Sequence, residues 1–187
     1  MLVPAVALLY ATGGILSKGG RSHTFDVRAD GFGRGEACGS ALLGAEGSGE
    51  RTQLASAAVR QDGKSASFTA PSGQAQTALL NAAYSLAGTS LVCLEAHGTG
   101  TALGDPIEVG ALAVADCCPR ASMASFGVGG VKANIGHTEP AAGLVGMFKL
   151  IHGLERHQLA PNAQLRLLNK HLVAPLGPTA CAPATQL

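Results

Sequence analysis

The chain has 187 residues, 47% hydrophobic, 13% charged and 4% aromatic, and its 13 basic and 12 acidic side chains leave a formal net charge of +1. That balance excludes a phosphate-neutralising surface and so small an aromatic share excludes a set of base-stacking platforms, which argues against a nucleic-acid partner. The 5 cysteines, Cys38, Cys93, Cys117, Cys118 and Cys181, form no CxxC spacing, so they read as reduced thiols rather than as a disulfide framework or a zinc site.

The opening MLVPAVALLYATGGIL lacks the basic stretch of a secretory leader, and Thr12, Gly13 and Gly14 interrupt it before the roughly 20 apolar residues of a membrane span. It reads as a buried helix from Pro4 to about Leu16, in a protein that is not secreted and resides in a cytoplasmic or plastid-like compartment. The segment TFDVRADGFGRGEACG reads as an ordered loop turning at Asp30-Gly31. Strands are expected over Ala37–Leu43 and Gln53–Val59, with a surface turn at Gly44–Glu50 and a stop at Asp62-Gly63. Pro71–Ala87 has one apolar face and a glycine stop at Gly88, hence a helix.

Next, VCLEAHGTGTALGDPIE reads as a strand over Val92, Cys93 and Leu94, then a loop bent by Gly98, Gly100 and Gly104. A helix follows to about Asp116, capped by Asp105, with Pro106 as its first residue and Glu108 as its third. Val128–Val131 is a short strand, Lys132–His137 a polar loop, and Pro140 opens a helix reaching about His157. Its residues Ala141, Ala142, Gly143 and Gly146 are small enough to require a close neighbour. Pro175–Pro183 reads as a loose tail. Helices alternate with short apolar strands, so the fold class is α/β.

Two polar loops, HGTGTALGDP and KANIGHTEP, each follow an apolar strand and precede a helix that Pro opens, and each carries one histidine. Two imidazoles in one pocket donate hydrogen bonds to a developing oxyanion and move protons near neutral pH, which suits carbonyl and carboxylate chemistry. His97 and His137 are therefore the candidate pair, while His152 and His157 on a helix and His23 and His171 in loops read as solvated or structural. Lys132 is either a solvated loop lysine or a cation that holds a carboxylate and tunes the imidazole. Thr99 and Thr101 either satisfy the turn backbone or bind an amide-bearing substrate arm. A dinucleotide fingerprint fits the three glycines poorly, because Gly104 precedes the helix and Asp105 would meet a pyrophosphate with negative charge.

EAHGTGTALGDPIEVGAL and VKANIGHTEPAAGLVGMFKL resemble the two histidine motifs of β-ketoacyl synthase domains, especially those of modular type I polyketide synthases and the related fatty acid synthases. FDVRADGFGRGEACG and RQDGKSASFTAPSGQAQ resemble the stretches that precede them, in the same order, so residues 1–165 read as a partial ketosynthase domain and residues 166–187 as a weakly matched tail. The resemblance implies a thiolase-like fold, layered αβαβα and here incomplete, and an acyltransferase performing decarboxylative Claisen condensation of acyl and malonyl thioesters. It implies that His97 and His137 polarise the thioester carbonyl, that Lys132 is the lysine of the second motif, and that Thr99 and Thr101 touch the phosphopantetheine arm. The expected partner is an acyl carrier protein bearing that phosphopantetheine, with a homodimer in the complete domain. No metal or cofactor bound directly to the chain is expected, and no membrane contact.

The family's cysteine nucleophile lies in a TACSS-type motif, and no such motif occurs among the 187 residues. Cys38 follows GEA, Cys93 lies in a strand, Cys117 and Cys118 end a helix where the dipole disfavours a thiolate, and Cys181 is in the tail, so none inherits the role. An FGGTN-type segment after residue 165 is absent too, and the connections between Leu43 and Gln53 and between Tyr84 and Leu91 are short for the family. The expectation is a ketosynthase segment that is inactive alone. The alternative is a non-catalytic remnant that binds carrier protein or serves as a structural module.

Overall fold

The computed structural model describes residues 3–45, 52–63, 65, 70–88, 91–117 and 126–176, and the backbone of 181–183. Helix α1 spans Pro4–Thr12, α2 Gly73–Ala87, α3 Gly104–Val114, the single turn α4 Lys132–Ile135, α5 Ala142–Arg156 and α6 Lys170–Leu176. Strands β1 (Cys93–Glu95), β2 (Phe126–Gly129) and β3 (Cys181–Pro183) form a parallel sheet in the order β1-β2-β3.

Alternation along the strands sorts the side chains into two layers. Leu94, Phe126 and Val128 face the core, where they meet Val109 and Leu112 of α3 and Leu172 and Leu176 of α6. The opposite face is made shallow by glycine so that α5 and the chain after it can approach. A Cβ on Gly127 would overlap Leu159, and one on Gly129 would strike the carboxylate of Glu95 and the ammonium of Lys149. Helices thus cover both faces of a parallel sheet, as βαβ crossovers require. Gly88, at φ 63°, ends α2 in the left-handed conformation, and Ser72 caps its start by accepting the N–H of Ala75.

Several expectations need correction. Helix α1 ends at Thr12 and buries no residue, with Leu8 and Leu9 exposed. Residues 37–43 and 53–59 form no strand, because no described backbone pairs with them, and Leu42 is 99% exposed. Part of the turn at Gly44–Glu50 lies outside the described residues. Asp105 caps nothing: α3 begins at Gly104, whose N–H is taken by Thr101 Oγ1 at 3.0 Å. The second strand runs Phe126–Gly129 instead of Val128–Val131, and Lys132 lies in α4, not in a loop. A 3-10 turn, Glu139–Ala141, precedes α5. Gly146 does sit against Glu95, but Gly143 faces open space. The loose tail instead holds the end of α6, which carries His171, and strand β3.

Candidate active site

The two polar loops leave the ends of neighbouring strands, β1 and β2, so the parallel pairing of the sheet brings them side by side. The loop after β1 is held from inside by carboxylates. Glu108, on α3, accepts the N–H groups of His97 and Gly98 at 2.5 and 2.8 Å. Asp105, fully buried, accepts those of Gly100 and Phe25 at 3.0 and 2.8 Å. Gly100 sits at φ 73° with its Cα against the backbone of His23, a place where a side chain fits neither in conformation nor in space. The amides that a dinucleotide phosphate would need are therefore occupied by the chain's own acids, which removes that reading.

The loop after β2 is fastened through β1. Glu95 accepts the N–H of Val131, and its other oxygen pairs with Lys149 of α5 at 2.8 Å, both side chains being largely buried. Asn162 adds a bond from the N–H of Gly130 at 2.7 Å. These contacts hold the start of α4, from which the next residue, Lys132, points inward with only 3% exposure. Its ammonium donates to the carbonyl of His97 at 2.5 Å and lies 3.4 Å from His97 Nδ1. The solvated reading of Lys132 therefore fails.

His97 and His137 meet edge to face, ring centroids 5.5 Å apart, and Phe32 lies tilted by 59° against His137 at 4.9 Å. His137 Nδ1 accepts the N–H of Glu139 at 2.9 Å. A backbone amide can only donate, so the proton of neutral His137 sits on Nε2, and the ammonium beside His97 Nδ1 assigns the same tautomer there. Both rings thus offer an Nε2–H donor.

Burial and then the Lys132 and His137 charges push the His97 imidazole down to about 4. His97 retains exposed surface, which limits the effect of burial and gives weight to the ammonium 3.4 Å from its Nδ1. Burial, followed by Lys132, also lowers His137, against a smaller opposing pull from Glu139. Burial lowers Lys132 itself, opposed by the carboxylates of Glu108, Glu95 and Asp105, and burial raises Asp105 and Glu108. Near neutral pH both imidazoles are uncharged hydrogen-bond donors beside a cation. That arrangement stabilises negative charge on an oxygen without a prior proton transfer.

Thr99 and Thr101 lie beside these rings in sequence, their hydroxyls 3.2 Å apart, with Thr101 committed to the N–H of Gly104. His152 and His157 are exposed, at and just beyond α5. Cys38 is exposed, Cys93 half-buried in β1 and Cys117 buried, while Cys118 and the Cys181 side chain lie outside the described residues. Sequence reading missed Glu95 and Lys149, and it gave Glu108 a capping duty. The signal for Glu108 was its position in the first turn of a helix directly after a glycine loop, where a carboxylate reaches backward to free amides.

Comparison with known proteins decides the family. The β-ketoacyl synthase C-terminal domain matches residues 52–166, and the N-terminal domain of the same enzymes matches residues 1–46. The chain belongs to the β-ketoacyl synthase family. The highly reducing polyketide synthase azaB of Aspergillus niger is 41% identical over 181 residues, 92% of this chain but 7% of that protein. One component of the phenolphthiocerol/phthiocerol polyketide synthase of Mycobacterium tuberculosis is 40% identical over 92% of this chain and 10% of its own length.

Among solved structures, the ketosynthase from module 6 of the bacillaene synthase of Bacillus subtilis 168 superposes with a TM-score of 0.85 at 32% identity. The oxazolomycin ketosynthase domain of Streptomyces albus JA3453 superposes with 0.86 at 31% identity. Each match covers 100% of this chain and 34% of the ketosynthase. The chain is thus an incomplete part of a thiolase-like fold, spanning about a third of these ketosynthases and a tenth or less of the polyketide synthases.

Proposed function

We propose that this chain supplies the histidine and lysine half of a ketosynthase active site in a polyketide synthase. The observation that supports it most is the meeting of His97 and His137, ring centroids 5.5 Å apart, with the buried Lys132 ammonium against His97. In this reading an acyl group passes from a phosphopantetheine thiol of an acyl carrier protein to a cysteine thiol of a TACSS-type motif, releasing the free phosphopantetheine thiol. The carboxylate of a malonyl thioester then leaves as carbon dioxide, and its bonding electrons form an enolate. The Nε2–H groups of His97 and His137 hold the developing charge on the thioester oxygen. The enolate carbon attacks the acyl-cysteine carbonyl, the carbon–sulfur bond breaks, and the cysteine thiolate leaves a β-ketoacyl thioester on the carrier. Thr99 and Thr101 bind the amide-bearing arm.

Residues 1–165 form the partial ketosynthase domain and 166–187 its tail. The complete domain works as a homodimer, and this chain by itself is inactive. The test is incubation of the 187-residue chain, and of the ketosynthase that contains it, with acyl and malonyl carrier protein. The ketosynthase forms β-ketoacyl product that His137→Ala abolishes, and the chain alone forms none. Product from the isolated chain after replacement of every cysteine, or normal turnover by His137→Ala, refutes the reading.

A further inference from the structure

We propose that the ion pair between Arg34 and Glu139 is a positioning device that sets the tautomer of His137, acting through the backbone of Glu139. Glu139 has φ 53°, a left-handed conformation that a non-glycine residue rarely adopts and that the surrounding structure must hold in place. Pro140 follows it and disfavours the right-handed helical region, which leaves Glu139 a choice between extended and left-handed backbone. The Glu139 N–H lies in the peptide plane shared with Thr138 (ψ 14°) and points at His137 Nδ1, 2.9 Å away; with Pro140 leading directly into the next turn, the left-handed Glu139 is what joins that plane to the chain beyond it. Glycine would occupy that conformation freely, so the glutamate side chain must contribute something that glycine lacks.

What it contributes is the bond from Arg34 Nε to Glu139 Oε1 at 2.9 Å. Arg34 is itself anchored. Its segment bridges His137 in parallel, with the Gly35 N–H donating to the His137 carbonyl at 2.9 Å and the His137 N–H donating to the Gly33 carbonyl at 2.7 Å. Its guanidinium lies 5.6 Å from the Tyr10 ring centroid of α1. One segment therefore grips the histidine backbone and, through Arg34, fixes the carboxylate whose own amide occupies Nδ1. With Nδ1 occupied, the proton stays on Nε2. That places the donor where the proposed function needs it, and the inference takes its significance from that reading.

The test needs neither substrate nor turnover, so it stands apart from the test of the proposed function. In the chain labelled with nitrogen-15 histidine, the His137 signals, identified by their loss in His137→Asn, report which ring nitrogen carries the proton. The parent shows a single Nε2–H tautomer. Arg34→Met and Glu139→Met each remove the Arg34 Nε–Glu139 Oε1 bond, release the backbone and bring in the Nδ1–H form. These substitutions change the local charge in opposite senses, so a field effect alone would move His137 in opposite directions, whereas lost positioning moves both variants the same way. Arg34→Met combined with Glu139→Gly restores the single tautomer, because glycine takes the left-handed conformation without the ion pair. An unchanged tautomer in Glu139→Met, opposite responses in the two single variants, or no restoration by glycine overturns the proposal. Should Arg34→Met fail to fold, Glu139→Met brings in the Nδ1–H form and Glu139→Gly keeps the single tautomer, both with Arg34 in place.

Discussion

Asp105→Ala separates the structural use of that carboxylate from any direct part in chemistry. The acid has no exposed surface, and it accepts the N–H groups of Phe25 at 2.8 Å and Gly100 at 3.0 Å, both on buried residues. Alanine leaves two buried donors without partners, at about 1–3 kcal/mol each, hence about 2–6 kcal/mol in all. Relief of the buried charge offsets part of this. Against a total stability of about 5–15 kcal/mol that is a severe loss. Asp105→Asn keeps one acceptor oxygen and turns an amide N–H toward the other donor, so it falls between parent and alanine. Urea unfolding followed by circular dichroism reads the difference: at a slope of about 2 kcal/mol per molar, the alanine midpoint drops by about 1–3 M. Hydrogen exchange at the amides of Phe25 and Gly100 accelerates in the same variant. An alanine midpoint within about 0.3 M of the parent, or an asparagine variant as weak as alanine, refutes the reasoning.

Further outcomes follow from other buried charges. Burial raises the Asp26 carboxyl, but the bonds from Arg28 and from the N–H groups of Arg166, Arg28 and Leu167 outweigh it and hold the group well below the usual carboxylate range. Its stabilisation is present above the ordinary value of 3.8 and is lost as pH falls below it, so Asp26→Asn flattens the acid limb of the stability profile, and an unchanged limb contradicts the assignment. Lys132→Met removes the cation beside His97, and the imidazole midpoint followed by NMR rises from about 4 toward its ordinary 6.5; a fixed or falling midpoint excludes the charge as a cause. Lys149→Met leaves Glu95 buried and unpaired at a cost of about 3–5 kcal/mol, and adding Glu95→Gln recovers most of it. A single variant as stable as the double shows that the pair is not holding the β2 loop.

The site was largely legible because its elements are local. A histidine in a glycine loop between an apolar strand and a helix start declares itself within about a dozen residues, and HGTGTALGDP and KANIGHTEP each do so. The carboxylates were harder. Asp105 looked like a cap because caps are the commonest use of an aspartate before proline, yet its partners are 80 residues back at Phe25 and 5 back at Gly100, and only the tertiary structure supplies the first. Ala37–Leu43 and Gln53–Val59 misled for a different reason. Apolar, extended sequence records a preference for a pleated surface, but a strand exists only where another backbone takes its N–H and C=O groups, and no described backbone does so here. Strand β3 failed in reverse: proline and alanine carry little strand propensity, and pairing with β2 decides the matter.

The segment Ser22–Gly35 runs across the whole chain. Thr24 donates to the carbonyl of Gly98 at 2.7 Å, Gly31 to that of Gly100 at 3.0 Å, and Asp26 accepts the N–H groups of Arg166 and Leu167, 140 and 141 positions later. During synthesis on the ribosome, at about 5–20 residues per second, the carboxylate of Asp26 waits about 7–28 seconds for those partners to be made. Throughout that interval the core that buries Phe25 lacks Leu172 and Leu176, which are made later still. The two histidine loops are translated before residue 166 as well, so their final register against Ser22–Gly35 is among the last features the nascent chain acquires. Slow translation between residues 137 and 167 prolongs the exposure of this segment to chaperones and proteases.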